Sequence, residues 1–276
     1  MNPAFDAAGC GDTAVLLLHG VGGARSIWGA AGSGTLQALA DAGFHALALD
    51  FPGYGEADAP VGVNLGAFCA AVAALLDHAR PARPCCGPPA RCAPGGHEFA
   101  ARRPRQVHGL VLACTSALFG KADGDWQRNF LRERLAPLDA GLGMAGMADA
   151  LLPGLLSPAA PAAAREAARA LMARVPEATY RAALAAIAGF DRRADLAALQ
   201  VPTLLLAADH DRTAPPDVMQ RMAQRVASSR YVCLTGAGHL ANLEAPAAFN
   251  AALVAFLQEH FRPGAEPCTS PAIPTR

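Results

Sequence analysis

Apolar residues along this chain alternate between two rhythms. "TAVLLLHG" (residues 13–20) is a continuous apolar run closed by His-Gly, the pattern of a strand buried on both faces. "GTLQALADAG" (34–43) has helical spacing and stops at Gly43. "FHALALDFPGYG" (44–55) predicts a second strand that breaks into a turn at Pro52-Gly53. "LGAFCAAVAALLDHA" (65–79) predicts an amphipathic helix. Three further strands are expected in "VHGLVLACT" (107–115), "VPTLLLAADHD" (201–211) and "RYVCLTGAGH" (230–239). "PDVMQRMAQRVA" (216–227) and "APAAFNAALVAFLQEHF" (245–261) read as helices. Strands alternating with helices imply an α/β fold, a mostly parallel sheet with helices on both faces. Residues 1–115 and 199–262 would form that core. Residues 116–198, rich in Ala, Arg and Leu with Pro and Gly breaks, would form a helical cap, and the Pro-rich residues 263–276 a flexible tail.

One window breaks the rhythm. Residues 80–97, "RPARPCCGPPARCAPGGH", contain no Val, Ile, Leu, Met, Phe, Tyr or Trp. They do contain Pro81, Pro84, Pro88, Pro89 and Pro94. Proline lacks the N–H a ladder needs and is largely confined to edges and bulges of sheets. Each missing large apolar side chain also forfeits about 1.5–3 kcal/mol of burial. An irregular loop is expected here, with the central strand disrupted.

Composition narrows the classes. A hydrophobic content of 53% with 17% charged residues excludes a disordered chain. Zero formal net charge offers nothing to nucleic acid or an acidic membrane surface. No apolar run approaches the roughly 20 residues that span a bilayer. The first residues, "MNPAFDAAGCGDT", show no basic segment followed by an apolar one, so a cytoplasmic protein is expected. The eight cysteines follow no disulfide or zinc spacing. Cys85, Cys86 and Cys92 with His97 nearby leave a metal site as the alternative to plain thiols in a reducing compartment.

"LLLHGVGGARSIW", "ALDFPGYG", "VPTLLLAADHDRTAPP" and "GAGHLANLEAPAAFN" together resemble the α/β-hydrolase family, in its capped esterase and lactonase branch. The likeness spans residues 13–261, and the cap leans toward enol-lactonase-like members. It implies a small-molecule ester or lactone substrate, attacked through an acyl-enzyme without metal or organic cofactor. His239 matches the family's general base, and Asp211 the acid that holds the imidazole tautomer, with Asp209 as rival. The glycine-rich "HGVGG" (19–23) matches the oxyanion loop, with Gly20 and Val21 facing the developing charge. His19 and Trp28 would line the pocket. The "DFPGYG" turn is assigned no chemistry.

The nucleophile is missing. The family places a serine in Gly-x-Ser-x-Gly on a turn after the central strand, and this chain contains no such motif. Counting forward from His78 puts Ala90 in the nucleophile slot, with Pro88 and Pro89 before it. Cys92 is the one replacement nearby, whereas Ser116 reads as a helix cap. The window has the length of the absent strand and elbow, and its Ala, Arg, Pro, Gly and Cys are what GC-rich codons spell out of register. A compensating pair of frameshifts, in the gene or in its reading, accounts for both. Three outcomes stay open: a hydrolase, a ligand-binding pseudoenzyme, or a frameshift-damaged hydrolase.

Overall fold

The computed structural model describes residues 3–59, 62–79, 83–87, 89–91, 94–119 and 125–261, with backbone alone for residues 79, 83–87, 89–91, 94 and 95. In chain order the elements are β1 (Phe5–Ala8), β2 (Thr13–Leu18), α1 (Thr35–Asp41), β3 (His45–Leu49), α2 (Leu65–Ala79), β4 (Arg83–Gly87), β5 (Pro89–Arg91), α3 (Pro94–Arg102) and β6 (Leu110–Ala113). Four helices follow: α4 (Asp125–Asp139), α5 (Gly143–Leu155), α6 (Ala162–Ala173) and α7 (Glu177–Ala188). The chain then returns through β7 (Thr203–Ala208), α8 (Pro216–Ala223), β8 (Ser229–Leu234), α9 (Ala241–Glu244) and α10 (Pro246–His260).

The sheet runs β1-β3-β2-β5-β6-β7-β8, with β4 paired to β2. Among the described strands only β1 is antiparallel, against β3 at the edge. The short β1 carries no apolar run and was not expected from the sequence. β2, β6 and β7 are buried at every position, which is why their sequences are unbroken apolar runs rather than alternating ones. The α/β architecture, with its parallel sheet between helical layers, is therefore as the rhythms predict.

The expected loop over the proline-rich window is corrected. β5 sits between β2 and β6, with Ala90 opposite Leu18 on one side and Leu112 on the other. Pro89 and Arg91 face Val111 and Ala113 in the same register. The prolines are less disruptive than their number suggests. Pro94 occupies the first position of α3, where its N–H would have no helical partner in any case. Only Pro84 and Pro89 lie in strands, and Pro81 and Pro88 lie outside the described residues. A proline still offers its carbonyl to the ladder, and β2 and β6 provide finished templates on both sides. The cost is irregularity. Thr13 pairs with Arg83 and Val15 with Gly87, so four steps of β4 cover two of β2.

The four helices α4–α7 leave the sheet after β6 and return before β7 through a narrow neck. There Leu118 bridges Asp191, Phe119 N–H donates to the Phe190 carbonyl (2.9 Å), and Arg192 N–H donates to Ala117 (2.7 Å). Below the neck, Glu98 of α3 is buried and receives Arg102 and Arg192, the latter at 2.6 Å. That pair fastens α3 to the base of the helical insertion. The Pro-rich tail after residue 262 lies outside the described residues.

Candidate active site

The C-terminal ends of β7 and β8 bring two distant residues together. Asp211 follows β7 on a tight turn, its N–H donating to the Ala208 carbonyl (3.2 Å), and His239 lies on the loop after β8. Asp211 Oδ2 accepts from His239 Nδ1 at 2.9 Å. Asp211 Oδ1 accepts from the backbone N–H groups of Thr213 (2.8 Å) and Ala214 (2.9 Å). Burial pushes the Asp211 carboxyl up, but the charge and hydrogen bond of His239 and these two amides outweigh it, so it lies below the ordinary carboxylate range. The acceptor role of Asp211 places the ring proton on Nδ1. The rival Asp209 is turned away: its Oδ1 accepts from Gly236 N–H at 2.8 Å on the exposed side of the loop.

The loop carrying His239 is tied into the helical insertion. His239 N–H donates to the Leu155 carbonyl at 2.7 Å. Buried Glu244 receives Gly238 N–H on Oε1 (3.0 Å) and Ser157 N–H on Oε2 (2.8 Å). A Cβ on Gly238 would meet the Leu155 oxygen and the Ser157 nitrogen at 2.7 Å, so only glycine permits this approach. Glu244 was quoted in the sequence motif but given no role; a carboxylate two residues before a proline carries no signal until its two amide partners are seen.

The loop of residues 20–23 contributes Gly20 and Val21 to the cavity that His239 also lines. His19 does not line it. The ring is fully buried; its Nε2 accepts from Phe51 N–H (3.1 Å) and its Nδ1 donates to the Gly20 carbonyl (2.9 Å). Burial lowers its pKa and keeps it in the neutral form this arrangement requires. Trp28 is likewise not a lining residue but a core one, with no exposed surface and packed beside Phe249. The turn given no chemistry proves to brace the loop: Tyr54 donates its hydroxyl proton to the Val21 carbonyl at 3.0 Å. Gly55 has φ +53° and lies so close to Asp50 that a side chain would collide with the carboxylate. Asp50 in turn receives Arg25 N–H at 2.7 Å and the Arg25 guanidinium.

The third corner differs from expectation. Ala90 lies inside β5, not at its end. The connection from β5 to α3 consists of residues 92 and 93, outside the described residues, and the Cys92 alternative falls there. Ser116 is not a helix cap: its Oγ accepts from Leu118 N–H (3.3 Å) in the neck, and α4 begins only at Asp125. Cys85 and Cys86 fall in β4, while His97 is buried in α3 and stacked on Phe190. Among the described residues, no three His, Cys, Asp or Glu side chains are grouped to hold a metal ion.

His239, Gly20, Val21 and Ser116 are among the residues that line a cavity of about 800 Å³. Its floor includes Cys114, a non-glycine residue at φ 46° where β6 ends. Its walls come from the helical insertion, with Phe130, Leu151, Met172 and Tyr180 among them. A volume of this size suits a small molecule. Among the described residues, no helix is long and apolar enough to cross a membrane.

A sequence profile of the Alpha/beta hydrolase family matches residues 15–252. A protein from Variovorax paradoxus (strain S110), named "Putative carbamate hydrolase RutD", is 32% identical over 91% of this chain and 94% of its own. Among solved structures, a thermophilic esterase from Thermogutta terrifontis is 28% identical, with a TM-score of 0.78 over 94% of each chain. The enol-lactonase from Burkholderia xenovorans LB400 is 25% identical, with a TM-score of 0.78 over 93% of this chain and 96% of its own.

Proposed function

Since this chain belongs to the alpha/beta hydrolase family, we propose that its cavity is an acyl-transfer site for small carboxylic esters or lactones in which base, acid and oxyanion loop are present but no serine nucleophile is. The observation that supports this reading best is the 2.9 Å bond between His239 Nδ1 and Asp211, with His239 and residues 20–23 lining one cavity. With Nδ1 held by Asp211, a proton exchanged with a reacting group passes through His239 Nε2. The buried carboxylate stabilises the imidazolium that forms. The backbone N–H of Val21, on a loop braced by Tyr54 and His19, would donate to the oxyanion. The residues matching Gly-x-Ser-x-Gly are then Arg91, Cys92, Ala93, Pro94 and Gly95, because the attacking residue belongs between β5 and α3. In that match by sequence order Ala93 takes the place of the motif's serine. The chain as written is therefore close to inactive, and a frameshift pair across residues 79–98 is the proposed origin of the window.

The name carried by the Variovorax relative adds carbamates to the substrate panel, since the same base and oxyanion donors serve any acyl carbon bearing a leaving group. A second reading, a pseudoenzyme that binds without turnover, is favoured by the missing serine alone. Hydrolysis of p-nitrophenyl acetate tests both. The chain as it stands is expected near background, Arg91→Gly/Ala93→Ser at least about 10²-fold above it, and the same variant with His239→Ala back at background. A folded Arg91→Gly/Ala93→Ser variant without turnover defeats the assignment. Robust turnover by the unaltered chain, lost in Cys92→Ala, would instead make the thiol the nucleophile.

A further inference from the structure

Overall the chain is electrically balanced, with 23 basic and 23 acidic residues. The cavity is not. Among the described residues five arginines line it (Arg134, Arg193, Arg212, Arg221 and Arg225), and no Asp or Glu does. Two of the five are neutralised from outside, Arg193 by Asp191 at 2.7 Å and Arg221 by Asp217 at 2.6 Å. Arg134, Arg212 and Arg225 have no carboxylate within ion-pairing distance among the described residues. Arg212 and Arg225 are exposed, where water solvates a guanidinium well.

Arg134 is different. It is half-buried on α4, with its guanidinium carbon 4.9 Å from the centre of the Phe130 ring. Phe130 itself is packed by Trp126 and Phe119, at centroid distances of 5.1 and 4.9 Å. The charge also reaches the buried Tyr180 phenol, where burial raises the pKa to about 12 and Arg134 opposes the rise. A half-buried guanidinium held against an aromatic wall, with no carboxylate paired to it among the described residues, presents a planar fork suited to a carboxylate.

We propose that the cavity takes an ester or lactone whose apolar body also carries a carboxylate, received by Arg134 away from the bond to be cleaved. This rests on the acyl-transfer reading of the same cavity and names the charge of its substrate. The aromatic wall of Phe130 and Trp126 would cover the apolar body, and Arg134 would fix its orientation.

Binding rather than turnover tests this, so its failure is separable from failure of the acyl-transfer reading, which the Arg91→Gly/Ala93→Ser assay decides on a neutral ester. The unaltered full chain is titrated calorimetrically with monomethyl suberate, which has one ester and one carboxylate, and with dimethyl suberate, which has no charge. The half-ester is expected to bind at least about ten-fold more tightly, the scale of one charge-assisted hydrogen bond. Arg134→Gln should abolish that preference and Arg134→Lys retain part of it. Arg225→Gln, at the exposed rim, should leave it within about two-fold. Raising the salt concentration should erode the preference only modestly, because Arg134 is partly shielded. Equal or tighter binding of the dimethyl ester, no binding of either compound, or a preference that survives Arg134→Gln would overturn the proposal. The last outcome would mean that the carboxylate sits at the oxyanion loop or that Arg134 merely extends its head to solvent.

Discussion

β7 and β5 are neighbours but one in the same sheet, yet they are held there by different means. β7 reads Thr-Leu-Leu-Leu-Ala-Ala, is buried throughout, pairs in unbroken register with β6 and β8, and delivers Asp211 at its end. β5 is three residues, Pro-Ala-Arg, and owes its place to Leu18 and Leu112 on either side. A strand with its own apolar side chains specifies its position; one without them borrows position from its neighbours. The two ends of the candidate site inherit this difference. Asp211 and His239 rest on hydrogen bonds to each other and to the Thr213 and Ala214 amides, whereas the proposed attacking position would follow the three-residue β5.

The comparison can be broken most severely on the β7 side. Leu205 is completely buried, and Leu205→Ala should cost about 2–5 kcal/mol in denaturant unfolding, enough to threaten the fold of a typical domain. A loss below about 1 kcal/mol would mean that β7 is no better anchored than β5.

His97, on the helix after β5, gives the next effect. Its ring is buried with neither nitrogen hydrogen-bonded, and burial lowers its pKa to about 4. The unfolded chain, with an ordinary imidazole near 6.5, binds this proton more readily than the folded one. The associated stability is complete above pH 6.5 and is lost as pH falls toward 4, amounting to roughly 3 kcal/mol. His97→Leu should flatten the stability profile over that window and leave stability at pH 8 equal or higher. An unchanged acid limb in thermal unfolding would show that His97 is not the group responsible.

The smallest change sharpens the comparison from the weak side. Pro89→Val restores a backbone N–H and a strand former at a ladder position opposite Val111. A gain of about 1 kcal/mol is expected, seen as a raised Tm. Destabilisation would mean that β5 is held in a conformation only proline fits.

Much of this was legible from residues alone. Unbroken apolar runs named β2, β3, β6 and β7, because burial on both faces leaves a one-dimensional record, whereas β8 is buried only at Leu234 and was named by its place before the Gly-rich turn. The glycine-rich loop after β2 and the candidates Asp211 and His239 were legible too, since turns at strand ends demand particular residue types. Other features left no such record. Tyr54 and Glu244 act through single hydrogen bonds to backbone groups far away in sequence, and His19 and Trp28 differ from lining residues only in which way the chain turns them.

What the sequence determined by itself was the alternation of strand and helix and the absence of a Gly-x-Ser-x-Gly motif, because both depend only on which side chains are present. Tertiary structure alone decided that a proline-rich segment joins the sheet, that Asp211 rather than Asp209 reaches His239, and that Arg134 lines the cavity with no carboxylate paired to it among the described residues. Those outcomes depend on neighbours brought together by the fold, whose ladders, charges and close approaches no local pattern contains.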